Sequence, residues 1–349
     1  MGEDHDPSSG ALAPESATPE PKGVDALSDV LRAVRLSGAL FFVVDATSPW
    51  LVEIPSAAAI SPLILPGAGH LISYHVVTEG SCWGGILGEP AMRLEAGDVL
   101  IVPHGDPYVL STAKGGESRL SLEENLAFFK SLAAGELPFV LEDGGGGPER
   151  LRLVCGFLGC EALPFNPILA ALPRLVHVRG PSTALGDRLN RLVEFALDES
   201  RENRAGSDCV LLRISELLFI EVVRRHLESL PPEETGWLAG LRDPVVGRAL
   251  ALLHQQPAHP WTLEKLARGA GLSRSALAER FNGFVGQPPM QYLTRWRIQL
   301  AAKLLAEDAR KVSAVAMEVG YDSEAAFSRA FKKSVGVSPA AWRDRRVRD

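Results

Sequence analysis

Polar and charged side chains recur at helical spacing on two short segments near the C-terminus. Leucine and phenylalanine residues mark the buried face of each segment, so the polar positions between them face outward. An outward arginine such as Arg329 can bond a guanine through two hydrogen bonds, an asparagine such as Asn282 can pair with adenine, and Glu279 can accept from cytosine. The side chains predicted to contact a nucleic acid on this basis are Arg274, Ser275, Ala278, Glu279, Asn282, Glu324, Ala325, Ser328, Arg329, Lys332 and Lys333. The first segment is expected to contribute less hydrogen-bond readout than the second, because Ser275 and Ala278 occupy two of its outward positions.

Charge is distributed unevenly along the chain. The net charge is −7, but residues 240–349 contain 18 Lys and Arg against 10 Asp and Glu, a balance of +8, which leaves −15 on residues 1–239. A basic part on an acidic body is typical of a protein in which one domain meets a polyanion, although a solvated basic surface would give the same numbers. Lys333, Arg343, Arg345 and Arg346 are predicted to contact phosphates, which sets affinity rather than sequence choice.

Histidines and cysteines of the N-terminal half are the second set with possible chemistry. Imidazole and thiolate ligands suit zinc, so a metal or thiol sensor is one interpretation. Their spacing matches no recognised cluster, and a buried structural cysteine is the commoner fate, so we predict no metal and no cofactor. The residues concerned are His70, His75, Cys82, His104, Cys155 and Cys160.

The two C-terminal segments belong to an internal repeat, in which Ser273–Tyr292 aligns with Ser323–Trp342 at an offset of 50. Each copy has a helix with a small alanine, a glycine where the chain must turn, and a serine that can cap the next helix. This order predicts a helix-turn-helix unit, whose second helix enters the major groove of DNA. Such units also occur as plain scaffold, but two copies on the basic part of the chain favour nucleic-acid binding. A helix from Met290 to Ala306 is predicted between the two copies.

The N-terminal half is organised differently. Short apolar runs separated by glycine and proline predict an antiparallel sandwich or small barrel. After residue 181, two amphipathic helices follow, and the second, Val210–Val223, is apolar over a wide arc. That arc indicates either core packing or a subunit contact, and we favour a homodimer through it. The predicted strands are Ala39–Val44, Trp50–Ile54, Ile60–Leu65, Leu71–Val77, Ala91–Leu94, Val99–Val102, Tyr108–Leu110 and Leu151–Phe157.

Length and composition place the chain among two-domain globular proteins. Its 349 residues are 46% hydrophobic and 23% charged, which excludes wholesale disorder, and no apolar run approaches the ~18 residues of a membrane span. The N-terminus is acidic where a secretory signal is basic, so we expect a cytoplasmic protein. We predict an α+β protein with a disordered tail over 1–22, a barrel over 23–181, a helical dimerisation segment over 182–230, a linker over 231–239 and a helical domain over 240–349.

The C-terminal third resembles the DNA-binding domain of AraC/XylS-type transcription regulators. The first half of that domain is matched by Trp261-Thr-Leu-Glu-Lys-Leu-Ala267 and Gly271-Leu-Ser-Arg-Ser275, and the second by Val315-Ala316, Gly320-Tyr-Asp-Ser323 and Gly336-Val-Ser-Pro-Ala-Ala-Trp-Arg343. The match covers about 105 residues. The resemblance implies a regulator that binds two successive major-groove segments on one face of double-stranded DNA, with RNA polymerase as a possible further partner.

The N-terminal part is similar to the cupin-type sensory domain of one branch of that family. The match is looser and depends on His75, Gly97-Asp-Val-Leu-Ile-Val-Pro-His-Gly-Asp-Pro-Tyr108, Cys155-Gly-Phe157 and Leu172-Pro173. It implies a β-barrel followed by helices that commonly serve dimerisation. A small effector is expected in the barrel, with His75, His104 and Tyr108 as its polar contacts.

A metal-dependent cupin enzyme fused to a DNA-binding domain is the main alternative. Cupin enzymes hold a metal with two closely spaced histidines, a glutamate and a later histidine. Here His75 fits that pattern, but Val77 stands at the place of the second histidine, Glu79 is out of register and Tyr108 replaces the later histidine. With so few ligands left, we predict no enzymatic activity and a sequence-specific transcription regulator instead. Whether it activates or represses is left open.

Overall fold

The computed structural model describes residues 25–33, 36–115, 120–161, 164–180, 188–202, 204–307 and 310–346. Within them, a sheet-rich N-terminal half is followed by an all-helical C-terminal third, and the predicted α+β class with two domains is confirmed. The tail predicted over residues 1–22 lies outside the described residues. No helix in the described ranges is long and apolar enough to cross a membrane.

Two β-sheets form the N-terminal domain. In hydrogen-bonding order, one sheet is β10-β6-β3-β9-β1-β8 and the other is β2-β7-β4-β5. Strands β1 and β8 are parallel, and the other described pairings are antiparallel. The strands are β1 Leu36–Thr47, β2 Leu51–Ile54, β3 His70–Glu79, β4 Ser81–Ile86, β5 Met92–Glu95, β6 Val99–Val102, β7 Tyr108–Ser111, β8 Val140–Gly144, β9 Arg150–Cys160 and β10 Val176–Val178.

The larger sheet is buried on both faces, which explains the near-continuous apolar runs of its central strands. On β3, Leu71 and Val77 belong to the core between the two sheets. The alternate residues Ile72, Tyr74 and Val76 belong to a second core on the opposite face. Successive side chains of a strand point to opposite faces, so β3 separates the barrel interior from a layer of helices.

In the described part of the chain, the helices that accompany the sheets are α1 Ala26–Ala33, α2 Ala57–Ile64, α3 Leu122–Ala133, α4 Pro167–Ala171, α5 Arg188–Glu202 and α6 Ser207–Ser229. Helix α6 packs on the outer face of the larger sheet, where Leu218 and Val222 lie in the second core and the Ser215 hydroxyl is 3.2 Å from that of Tyr74. Much of the wide apolar arc of α6 is therefore used within the chain.

Sequence patterns misassigned one N-terminal element and overlooked others. The strand predicted over Ile60–Leu65 is wrong, because that segment lies mostly in helix α2. Ile60 and Ile64 are four residues apart and both buried, the spacing of one helical face, although Pro62 lies inside the helix. Strand β4 and helix α3 had no predicted counterpart.

The C-terminal third is formed by α7 Trp237–Arg242, α8 Pro244–Gln255, α9 Leu263–Ala270, α10 Arg274–Val285, α11 Pro289–Glu307, α12 Val312–Glu318, α13 Glu324–Val335 and α14 Pro339–Arg346. The linker predicted over residues 231–239 is shorter than expected, since α7 already begins at Trp237. Trp237 and Leu238 are buried, and the indole nitrogen of Trp237 donates to the Tyr292 hydroxyl at 2.8 Å. Burial of these apolar side chains explains why the helical domain begins before residue 240.

Candidate functional site

Helices α9 and α10 form the first helix-turn-helix unit. Helix α9 is capped by the Thr262 hydroxyl, which accepts from the Lys265 amide at 3.2 Å. Gly271 ends α9 with a left-handed φ of 79°, a conformation that glycine adopts at little cost. The Ser273 hydroxyl then accepts from the Ala276 amide and caps α10, so the predicted serine cap is confirmed.

Helices α12 and α13 repeat this arrangement, although α12 has no side-chain cap at its N-terminus and its turn is more tightly packed. Gly320 turns the chain with a φ of 90°, and the Ser323 hydroxyl caps α13 by accepting from the Ala326 amide at 3.2 Å. A Cβ atom at Gly320 would lie only 2.6 Å from the Cα of Ala258, whereas a Cβ at Gly271 would meet open space. The second turn is therefore pressed against the segment that precedes α9.

The two second helices, α10 and α13, expose the faces that the sequence predicts. Leu277 and Phe281 on α10, and Phe327 and Phe331 on α13, have no exposed surface. Of the predicted contact residues, Ala278 and Ser328 are half-buried, and the others are exposed: Arg274, Ser275, Glu279, Asn282, Glu324, Ala325, Arg329, Lys332 and Lys333. Their placement on two outward faces agrees with base readout, and their individual roles remain predictions.

Two arginines of this domain, Arg280 and Arg329, differ in whether their side chains have partners within the protein. Arg280 on α10 forms a bidentate ion pair with Asp243, with nitrogen–oxygen distances of 2.5 to 3.1 Å. The Asp243 carboxylate also caps α8, and the Arg280 guanidinium holds its pKa below the usual range. The Arg329 side chain on α13 makes no hydrogen bond or ion pair within the described part of the chain. Arg280 is thus committed to the fold, while Arg329 is available to a ligand.

Candidate phosphate contacts lie at the end of the domain. Lys333 is exposed, whereas Arg343 is half-buried and donates to the Asp344 carboxylate and the Arg310 carbonyl. The side chains of Arg345 and Arg346 lie outside the described residues, and their phosphate contacts stay predictions.

Arg297 on α11 joins the two helix-turn-helix units. Its guanidinium donates to the carbonyls of Pro257 at 2.7 Å and His259 at 2.9 Å, both in the segment before α9. It also donates to the carbonyl of Gly320, in the turn of the second unit, at 3.0 Å. We call Pro257, Ala258, His259, Arg297 and Gly320 the inter-unit joint. This joint and the helix α11 set the relative position of α10 and α13.

The N-terminal domain contacts the same helix α11 through Phe165. The Phe165 amide donates to the buried Gln299 side chain at 2.9 Å. Its ring lies edge-on to Tyr292, with centroids 5.6 Å apart, and the Arg295 guanidinium sits 4.1 Å from the ring centre. The helix that spaces the two units is therefore also the helix on which the N-terminal domain docks.

The barrel contains a cavity of about 290 Å³ between the two sheets and α3. Its wall is mostly apolar, and its polar lining residues are His75, Asn125, Glu142, Asp143 and Cys155. A mostly apolar wall with few polar groups is the usual character of a small-molecule site.

The structure brings together two of the three predicted effector contacts. His75 Nδ1 lies 3.1 Å from Cys155 Sγ and Nε2 lies 2.6 Å from the Tyr108 hydroxyl, so both ring nitrogens are occupied. Burial lowers the pKa of His75 to about 3, which keeps the imidazole neutral. Of the three, only His75 is among the described lining residues of the cavity, since Tyr108 contacts it through His75. His104 lies elsewhere, donating from Nε2 to the Leu172 carbonyl at 2.9 Å.

Sequence reasoning missed Asn125, which lines the cavity from helix α3. The signal that could have revealed α3 was the pair Ser121 and Glu124, a capping-box spacing ahead of an apolar run. Both reciprocal hydrogen bonds of this capping box are present.

Metal and thiol chemistry have little support in this site. No group of three or more histidine, cysteine, aspartate or glutamate residues is placed to hold a metal ion in the ranges that the structure describes. Cys82, Cys155 and Cys160 are buried, and burial raises the pKa of all three thiols. Since the thiolate is the reactive form, these thiols are poor nucleophiles at neutral pH.

Comparison with known proteins agrees with this arrangement. Residues 25–228 match the family described as Cupin, and residues 266–345 match a helix-turn-helix domain. A protein of Streptomyces antibioticus described as an AraC-like transcription regulator is 35% identical over 76% of this chain and 92% of its own length. A protein of Streptomyces lividans with the same description is 32% identical over 92% of this chain and 98% of its own length.

Among solved structures, the DNA-binding domain of AdpA, a transcriptional factor crystallised with a target DNA, is 32% identical. It covers 30% of this chain and 96% of its own, with a TM-score of 0.29. The resemblance found in the sequence is confirmed by the two full-length relatives. With its cupin domain and its pair of helix-turn-helix units, the chain belongs to the AraC-like family of DNA-binding transcription regulators.

Proposed function

We propose that a small effector bound in the barrel cavity controls how this regulator binds DNA. Residues 23–181 would hold the effector, residues 182–230 would serve dimerisation, and the helical domain would read DNA. The observation that carries the proposal is the docking of Phe165 on α11, the helix that spaces the two recognition helices. Since its target is DNA, we place the protein in the cytoplasm and propose RNA polymerase as a further partner. We infer no enzymatic role.

An effector can change DNA affinity only if it binds one arrangement of the two domains better than another. DNA must then change effector affinity by the same factor, because the coupling free energy is reciprocal. A movement of the N-terminal domain at Phe165 would be transmitted to α11 through direct contacts with Gln299, Tyr292 and Arg295.

Filling the cavity is expected to abolish regulation. Val44 lines the cavity of about 290 Å³, and a phenyl ring takes up about the space of benzene, which fits an apolar cavity of about 150 Å³. Val44→Phe should therefore leave too little room for an effector that fills the cavity. Footprinting across the genome with the wild-type chain first identifies a regulated promoter. Transcription from this promoter is then measured for each variant as growth conditions change. Val44→Phe should give one constant level of transcription. Val109→Phe is the matched control, since Val109 does not line the cavity, and should respond as the wild type does. A Val44→Phe variant that still switches normally would contradict the proposal and favour a barrel that only dimerises.

The DNA contact can be tested at Arg329. Arg329→Ala is expected to weaken specific binding by ~1–3 kcal/mol and to relax preference at one base position, the effect of losing one bidentate base contact. Arg345→Ala, predicted to remove a phosphate contact, should weaken binding to all sequences alike and reduce the salt slope by about 1. Titrations against single-base variants of the target, at several salt concentrations, separate the two. Unchanged affinity and base preference in Arg329→Ala would show that the outward face of α13 is misassigned.

We also propose a homodimer through helices α5 and α6. Each has one large exposed apolar side chain, Phe195 at 51% and Leu217 at 49% exposure. Leu218, which the apolar arc also suggested for the seam, is 3% exposed and lies in the core, so Leu218→Glu would test folding instead. Leu211 is partly buried against the same core.

Leu217→Glu is expected to dissociate the dimer, because an unpaired charge in an apolar interface is strongly disfavoured. Leu87 is equally exposed, at 49%, but lies beyond strand β4, so Leu87→Glu should leave the dimer intact. Sedimentation of both variants and the wild type measures this. A wild-type monomer at micromolar concentration, with and without DNA, would rule out the dimer.

A further inference from the structure

The described wall of the barrel cavity offers an anion no positive charge. Among the described residues that line it, none is lysine or arginine, and the two charged ones, Glu142 and Asp143, are exposed carboxylates. The deeper wall is formed by aromatic and aliphatic side chains such as Phe42, Phe129 and Phe157. A charged group of either sign brought against this deeper wall would lose its hydration and meet no opposite charge there. The deeper wall therefore favours an uncharged molecule.

Most polar groups along the wall already have partners. Both ring nitrogens of His75 are occupied by Cys155 and Tyr108. The Asp143 carboxylate accepts from the Trp50 indole and from the Gly144 amide. These groups are therefore held in place by hydrogen bonds within the protein.

Asn125 is different. It is 4% exposed, and its side-chain carbonyl oxygen has no hydrogen-bond partner. Among the described residues that line the cavity, it is the one with such an orphaned buried atom. Buried amides are almost always hydrogen-bonded, and an exception requires an explanation. Asn125 lines the cavity, so a bound molecule would supply the missing hydrogen bond once the amide turns toward it.

The volume sets the size of this molecule. An apolar cavity of about 150 Å³ accommodates benzene, and this cavity is about 290 Å³. We propose that the barrel binds an uncharged, mainly apolar molecule of about two rings, whose hydroxyl group hydrogen-bonds to the amide of Asn125. The orphaned atom of Asn125 is its carbonyl oxygen, so the ligand must supply a donor, which a hydroxyl does. This inference rests on the proposed effector role of the cavity and specifies its ligand class.

Three probes with one ring system test the ligand class by calorimetry on the full chain. 1-Naphthol has a neutral hydroxyl, 1-methoxynaphthalene lacks the donor, and 1-naphthoate is an anion. We expect 1-naphthol to bind with one molecule per chain. The other two probes should bind at least about tenfold more weakly, because the loss of one hydrogen bond lowers affinity about tenfold. Equal affinity for 1-naphthol and 1-methoxynaphthalene, tighter binding of 1-naphthoate, or no binding of any probe would overturn the inference.

Two variants locate the interaction. Asn125→Leu should reduce 1-naphthol affinity about tenfold, to the level of 1-methoxynaphthalene, and should raise the unfolding temperature of the free protein because an unsatisfied buried amide is removed. Val44→Phe should abolish binding of all three probes. Retention of full 1-naphthol affinity in Asn125→Leu would overturn the role of Asn125.

The outcomes separate this inference from the proposed function. If 1-naphthoate binds most tightly and Val44→Phe abolishes that binding, the ligand class is wrong while an effector cavity remains. If the probes behave as expected but Val44→Phe cells still regulate transcription normally, the ligand class holds and the proposed control of DNA binding fails.

Discussion

Replacing Arg297 by methionine is expected to lower the free energy of unfolding by about 3–5 kcal/mol, because three hydrogen bonds from a charged donor are lost together. The guanidinium donates to the carbonyls of Pro257, His259 and Gly320. Methionine keeps most of the aliphatic packing but cannot donate, so these half-buried carbonyls lose their shared partner. Denaturant unfolding monitored by circular dichroism measures the loss.

The loss of Arg297 should weaken DNA binding by both helix-turn-helix units together more than DNA binding by one unit. Arg297 holds the segment before α9 against the turn between α12 and α13, so its loss should loosen the relative position of the two recognition helices. In Arg297→Met, the affinity for a full DNA site should fall more than the affinity for a site with one segment scrambled. Both affinities are measured under conditions in which Arg297→Met and its control are folded. Arg268→Met is the control, since Arg268 makes an exposed ion pair with Glu264, worth about 0–1 kcal/mol. A stability loss for Arg297→Met no larger than the control's would contradict the joint.

Gly320→Ala should be the second severe change, destabilising by about 2–4 kcal/mol. Two costs add here. The φ of 90° disfavours a side chain, and the new Cβ would lie 2.6 Å from the Cα of Ala258 and 2.8 Å from its carbonyl oxygen. Backbone atoms cannot move aside as a flexible side chain can, so the inter-unit joint must open. Calorimetric unfolding of the full chain provides the measurement.

Gly271→Ala is the matched control for that change. Gly271 occupies the equivalent turn of the first unit with a φ of 79°, but a Cβ there meets no atom within 4 Å. It should cost only the conformational part, about 1–2 kcal/mol. Equal losses in the two variants would show that the second turn is not pressed against the first unit.

The C-terminal domain could be predicted in detail because its signals are local. Serine caps at Ser273 and Ser323, glycines at the turns and phenylalanines four residues apart each act within one or two turns of helix. Outward positions then follow from the buried ones, and all eleven predicted contacts lie on the exposed or half-buried faces of α10 and α13.

The features that the sequence did not reveal depend on distant contacts. Arg297 contacts Gly320 and Pro257, and Phe165 contacts Gln299. These residues are far apart in the sequence, and helical or strand periodicity indicates only contacts between near neighbours. His104 and His75 both belong to the segments that are similar to the cupin-type domain. The fold nevertheless places them in different surroundings. The apolar arc of α6 indicated burial but did not distinguish the sheet of the same chain from a second subunit.

The most direct test of the account is selection of bound DNA from a random-sequence pool by the full chain. Helix α11 has 19 residues and is about 28 Å long, close to the ~34 Å of one DNA turn. Two recognition helices joined through a helix of that length should read two segments on one face of the DNA. We predict an enriched motif with two blocks of specified bases centred about 10 base pairs apart. A single short block, or no enrichment at all, would contradict the account.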